Sequence, residues 1–233
     1  MWVVNRRLTQ RGKMKSIYWN ARKKKEVQEI QPQESSQDQV IFMSPHDHGP
    51  DGGSGVEVDE NKIYFYSGIG DKEVLELNKI VKRLDKEMQV LALTLNIPPP
   101  PIEIHIHSEG GSAFAGLAAY DVIRACKSPI HTYIDGCTAS AATLIFLAGT
   151  KKFIHKNSFM LIHQLSATVL GGKYEEFKDE LKNQEKLMHT VKNIYLEKGK
   201  LNEDQLTDLM KHDLWLDSET VMKYGFADQI IGV

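Results

Sequence analysis

Few cysteines, no long apolar run and no net excess of either charge bound what this chain can be. Its two cysteines, Cys126 and Cys137, make neither a C-x-x-C pair nor a metal cluster. A disulfide scaffold is thereby excluded, and a reducing cytoplasm is the simpler setting. The longest largely apolar stretch, Ala139 to Gly149, is about half of the ~20 residues a membrane helix needs, and nothing near the N-terminus has the apolar core of a secretory signal. A soluble, cytoplasmic protein is expected, with an organelle or a phage-infected host cell as the other settings. With 29 Lys and Arg against 31 Asp and Glu, the molecule offers no global electrostatic case for binding nucleic acid or membrane.

Charge is nonetheless segregated. Residues 1 to 25 hold nine basic side chains and no acidic one, whereas residues 26 to 60 hold nine acidic side chains and no Lys or Arg. From Gln31 to Gly55 the chain is rich in Gln, Ser, Asp, Gly and Pro, with only Val40, Ile41, Phe42 and Met43 to bury. Residues 1–60 are therefore expected to be a disordered tail, its basic part read as a solvated arm, an organelle-targeting or cleaved segment, or a nucleic-acid- or partner-binding arm. Residues 61–233 are expected to form one domain.

From Asn61 onward, short apolar strands alternate with amphipathic helices, the pattern of an α/β domain. Lys62 to Tyr66 reads as a strand. Leu77, Ile80, Val81, Leu84, Met88 and Leu91 recur at three- and four-residue spacing, which predicts a helix from near Asp71 that stops before Pro98. Ile102, Ile104 and Ile106 alternate with Glu103, His105 and His107, so a strand follows. A Gly110-Gly111 turn leads to a helix over about 113–126, and Pro129 opens a strand from Ile130 to Ile134. This β-turn-α-β order favours a right-handed crossover between parallel strands. After a turn at Gly136 come a helix of small residues, Ser140 to Ala148, and strands near 152–154 and 159–162. A long polar helix from about Tyr174 to Leu196 is next, then a helix near 203–211, a strand at 214–216 and a last helix ending at Gly225.

Four local features carry chemistry. Gly136 to Ala142 sets Ser140 where a tight turn enters a buried helix, a place where loose backbone N–H groups meet a hydroxyl and acyl transfer is possible. Serine is equally at home there as a helix cap. At Gly110-Gly111 a backbone without side chains can approach a ligand and donate N–H groups. The apolar strand Phe159 to Ile162 ends in His163, a residue type suited to general base catalysis, although a lone histidine in such a place also reads as structural. Asp213 precedes the Leu214–Leu216 strand, where it can hold an imidazole in one tautomer or simply cap a turn. Two histidine pairs, His46 with His48 and His105 with His107, offer too few ligands for a metal site.

Taken together, Ser108-Glu109-Gly110-Gly111, Gly136 to Ala142, Asn157 to Gln164 and Asp213 to Gly225 resemble, in order and close to the usual spacing, the signature blocks of the ClpP family of serine peptidases. The resemblance runs from about Ile63 to Ile231. It implies a ClpP/crotonase-like α/β fold of repeated β-β-α units with a protruding handle helix from Tyr174. It also implies Ser140 as nucleophile, His163 as base and Asp213 as third member, with the backbone N–H groups of Gly111 and Ala141 as oxyanion hole. No metal or cofactor is implied. The expected activity is endoproteolysis of unfolded polypeptides to short peptides through an acyl-enzyme, inside two stacked heptameric rings fed by an AAA+ unfoldase.

Some positions depart from that pattern. Glu109 stands where the family usually has proline, Ala141 where methionine is common, and Leu165 where proline follows the His-Gln pair. None removes a catalytic atom. The chain upstream of Asn61 does not resemble the family's N-terminal segment, which helps engage the unfoldase. A maturation protease acting without an unfoldase and a non-catalytic ring subunit are therefore the alternative functions. A crotonase-like enzyme stabilising a thioester enolate would need neither Ser140 nor His163, so the complete triad counts against it.

Overall fold

Alternation of buried and half-buried residues along the central strands sets how the sheet sits. The computed structural model describes residues 55–166 and 173–232. The strands are β1 (Val56–Asp59), β2 (Lys62–Phe65), β3 (Ile102–Ser108), β4 (Ile130–Ala139), β5 (Lys151–His155), β6 (Phe159–Leu161), β7 (Trp215–Asp217) and β8 (Gln229–Ile231). The helices are α1 (Asp71–Leu95), α2 (Ala113–Arg124), α3 (Ala142–Leu147), α4 (Tyr174–Lys198), α5 (Glu203–Leu209) and α6 (Ser218–Lys223). Twice, in β1-β2-α1 and β5-β6-α4, the order is strand, strand, helix. Among the described residues no helix is long and apolar enough to cross a membrane. The expected disorder of residues 1–54 and the His46–His48 pair concern residues outside those described.

The sheet runs β1-β2-β3-β4-β5-β8, with β6 added to the C-terminal part of β4 and β7 added to β6. All neighbours are parallel except β1 with β2 and β6 with β7. Ile63 and Phe65 of β2, Ile102, Ile104 and Ile106 of β3, and Ile130 and Ile134 of β4 share one core with Leu77, Val81 and Leu84 of α1 and with Leu144 to Leu147 of α3. Each fully buried aliphatic or aromatic side chain there is worth roughly 1.5–3 kcal/mol relative to exposure, so this core dominates the stability.

Three differences from the sequence reading have physical causes. Strand β1 lies upstream of Asn61, within the expected tail, and pairs with β2 from Val56↔Phe65 to Asp59↔Lys62. Only Val56 of its four residues is buried, so two acidic side chains outweighed its short alternation. Second, β4 does not end before Gly136. Ile106↔Ile134 is followed by Ser108↔Thr138, so two extra residues bulge out of β4 around Gly136, which has φ +94°, and the strand resumes. Third, α3 starts at Ala142 and not at Ser140, which stands between strand and helix with φ +54°.

Asp85 of α1 anchors the loop before β4. Its Oδ1 accepts from the backbone N–H of Ser128 at 2.8 Å and of Lys127 at 3.2 Å. Partial burial pushes its carboxyl up, but the Ser128 and Lys127 hydrogen bonds outweigh that and hold it below the usual carboxylate range. A depressed folded-state value contributes stability above the unfolded value that is lost as pH falls through the folded one. Asp85→Ala should therefore cost about 1–2 kcal/mol at neutral pH, and the gap in Tm from the parent should narrow on acidification through that range. Thermal melts at pH 7 and pH 3 check this, and an equal gap at both would count against it.

Candidate active site

Three parallel strands end side by side. The C-terminal ends of β3, β4 and β6 are neighbours, and that edge of an α/β sheet is where loops gather functional groups. Gly110-Gly111 follows β3, Ser140 follows β4, and His163 lies two residues beyond β6. Register then selects the partners. Ala139 pairs with Leu161 in parallel, and Leu161 pairs with Trp215 in antiparallel sense. Two residues out from that last pair, His163 faces Asp213 arriving along β7 from the opposite direction.

Side-chain geometry completes the row. His163 Nε2 lies 2.8 Å from Ser140 Oγ, and His163 Nδ1 lies 3.0 Å from Asp213 Oδ1. A carboxylate only accepts, so Nδ1 carries the ring proton and Nε2 is the acceptor for the Ser140 hydroxyl. The imidazole is three-quarters shielded, but the Asp213 side chain is 78% exposed. Solvent screening therefore makes this orienting contact weaker than that of a buried carboxylate.

Ser140 owes its position to an uncommon backbone. Its φ of +54° is one that serine rarely adopts, at a cost of about 1–3 kcal/mol that neighbouring contacts must offset. The Ser140 N–H donates to the Leu161 carbonyl at 2.9 Å, and the Ser140 carbonyl accepts from the Thr143 N–H at 3.1 Å. The glycine turn packs against it. A Cβ on Gly110 would lie 2.7 Å from both the Ala139 carbonyl oxygen and Ser140 Cβ, so only glycine permits this approach. Among the described residues, neither the Gly111 nor the Ala141 N–H meets a protein acceptor. With six residues α3 has little macrodipole to offer, so these two N–H groups are what remains for an oxyanion.

Beside Ser140 runs a cleft whose walls include Phe114, Leu144, Leu165, Leu187 and Val191. The sequence reading treated α4 as a polar handle, and its first three turns are indeed exposed. Its later face was missed, although Leu187, Val191 and Tyr195 recur at four-residue spacing and line the same cleft. His105 and His107 alternate with Ile104 and Ile106 along β3 and so lie on the face of the sheet away from the core that those isoleucines join. His105 Nδ1 is 2.9 Å from Asp135 Oδ2, and His107 Nδ1 is 3.0 Å from the Asp135 carbonyl. Among the described residues no cluster of three His, Cys, Asp or Glu is arranged to hold a metal, and both cysteines are unpaired.

Comparison with known proteins gives the family and the fold. The family profile described as Clp protease matches residues 59–233. The ATP-dependent Clp protease proteolytic subunit of Deinococcus radiodurans is 33% identical over 145 residues, covering 61% of this chain and 71% of that protein. The ATP-dependent Clp protease proteolytic subunit 2 of Treponema denticola is 31% identical over 166 residues, covering 70% of this chain and 82% of its own. Among solved structures, a ClpP1 point mutant from Listeria monocytogenes superposes with a TM-score of 0.59 at 24% identity, over 74% of this chain and 92% of that one. At that identity the likeness speaks for the fold, which is the ClpP fold.

Proposed function

Because the chain belongs to the Clp protease family and is a serine-type endopeptidase, we propose that Ser140 is its nucleophile, His163 its general base and Asp213 the carboxylate that orients the base. The observation that carries this reading is the continuous row of hydrogen-bond contacts, 2.8 Å and then 3.0 Å, from Ser140 Oγ through His163 to Asp213. Ser140 Oγ attacks the scissile carbonyl carbon while its proton passes to His163 Nε2. The Gly111 and Ala141 N–H groups receive the negative charge that develops on the carbonyl oxygen. As the intermediate collapses, the C–N bond breaks, His163 returns the proton to the leaving amine, and an acyl-Ser140 ester remains. Water, deprotonated by His163, then releases the second peptide by the same steps in reverse. Phe114, Leu144, Leu187 and Val191 in the wall of the cleft beside Ser140 offer contacts to an apolar substrate side chain at the cleavage position.

The substrates are unfolded polypeptides cut to short peptides inside a cytoplasmic, ring-shaped chamber. Exposed Val90, Leu93, Leu95 and Ile97 at the end of α1 and just beyond it support burial against further copies of the chain. The exposed start of α4 supports a handle that meets a second ring, and by family resemblance the rings are heptameric and served by an AAA+ unfoldase. The test is a fluorophosphonate probe applied to the assembled protein, the adduct being mapped by mass spectrometry. An adduct on Ser140 is the expected result, and no adduct on protein shown to be assembled would favour the non-catalytic ring subunit.

A further inference from the structure

A buried hydroxyl pair links α4 to the backbone of Ser140. Thr143 Oγ1 lies 2.6 Å from the Ser140 carbonyl oxygen and 2.5 Å from Tyr195 Oη. The carbonyl has no proton to give, so Thr143 must donate to it, and its single hydroxyl proton is thereby committed. Toward Tyr195 it can then only accept, and the Tyr195 O–H is the donor. Burial pushes the Tyr195 phenol up to about 12, so the donor keeps its proton throughout the neutral range.

The direction of this chain matters because of what the Ser140 carbonyl belongs to. A trans peptide unit is planar, with its C=O and N–H pointing opposite ways, and the N–H of this unit is that of Ala141. Whatever fixes the Ser140 carbonyl therefore also fixes the direction of the Ala141 N–H. Hydrogen bonds accepted by a carbonyl also polarise the amide, which strengthens its N–H as a donor. Tyr195 itself is held firmly. It is 2% exposed, its ring meets Phe226 edge to face at 6.1 Å, and it sits on the α4 face that lines the cleft.

We propose that Tyr195 and Thr143 are positioning residues for peptide hydrolysis: the relay Tyr195 O–H to Thr143 O–H to Ser140 C=O sets the Ala141 N–H in the oxyanion hole and ties its aim to the seating of α4. This inference rests on Ser140 being the nucleophile. It goes beyond that reading because it assigns work to two hydroxyl groups outside the triad.

The experiment compares the parent full-length protein with Tyr195→Phe, Thr143→Val, the double variant and Thr143→Ser. The readouts are the rate of fluorophosphonate labelling at Ser140, kcat and KM for a peptide ester, and Tm. Loss of a whole oxyanion donor costs about 10²–10³ in kcat, and a mis-aimed donor less. Tyr195→Phe and Thr143→Val should each lower kcat and labelling roughly tenfold with KM unchanged. The double variant should be no slower than the slower single one, since either change breaks the same relay. Thr143→Ser, which keeps the hydroxyl, should restore the parent rate. Parent rates in Tyr195→Phe, multiplying effects in the double variant, or failure of Thr143→Ser to restore the rate would overturn the relay. An unlabelled parent would instead overturn the assignment of Ser140, and the relay with it.

Discussion

Ser140→Ala is expected to abolish labelling by fluorophosphonates and to lower peptide hydrolysis by about 10³–10⁶-fold while leaving the fold in place. The lower bound follows because binding and oxyanion donors still act on a bound peptide when the nucleophile is gone, and the upper bound is what removal of a serine nucleophile costs where the triad works as a unit. Stability should change by about 1 kcal/mol or less. The change deletes one contact to His163 at 2.8 Å, and alanine meets the same backbone cost as serine at a φ of +54°. The bonds that hold this turn, from the Ser140 N–H to the Leu161 carbonyl and from Thr143 to the Ser140 carbonyl, are made by backbone and neighbours and survive the substitution. Melting curves alongside turnover separate the two effects. Hydrolysis that persists at the parent rate in purified Ser140→Ala would mean that Ser140 is not the nucleophile and that the peptidase site lies elsewhere.

Most of the site was legible because its parts are local. Strand β3 shows as an alternation of isoleucines with polar residues, a glycine pair follows it closely, and His163 and Asp213 each stand two residues from a short apolar strand. Their convergence was supplied by resemblance alone, since it depends on register. Leu161 pairs with both Ala139 and Trp215, and no single-chain pattern announces a strand shared in that way. The bulge at Gly136 was misread for a related reason, because glycine at a positive φ signals a turn and a bulge alike until the partner strand is known. The Thr143–Tyr195 pair left no trace, its members standing 52 positions apart, and a threonine inside a six-residue helix is unremarkable by composition.

Gly111→Ala should be the most damaging change that touches no catalytic side chain. The Gly111 φ of +148° suits glycine, and a Cβ there would lie 2.5 Å from the Ile69 carbonyl oxygen and 3.0 Å from the Ile69 nitrogen. All of these neighbours are backbone, so nothing can swing aside. Relief requires the strand-like bridge between Ile69 and Gly111 to open, with loss of the bonds from Ile69 N–H to the Gly110 carbonyl and from Ser112 N–H to the Ile69 carbonyl, both 2.8 Å. The strained conformation alone costs about 1–3 kcal/mol, and the two bonds about 1 kcal/mol each. If Gly111 is an oxyanion donor as proposed, its N–H leaves its place as the turn moves off, which should lower kcat by about 10²–10³ at temperatures where the variant is still folded. Gly68→Ala is the control in the same region, because its Cβ would meet only the Gly110 carbonyl oxygen at an ordinary 3.7 Å, and it should leave both quantities near the parent values. If Gly111→Ala melts early yet still acylates Ser140 at the parent rate, the turn is a structural clasp and the oxyanion donors must be sought elsewhere. If rate and stability fall together while the Gly68 control holds, the same glycine that lets β3 turn beneath Ile69 is the one that meets the transition state.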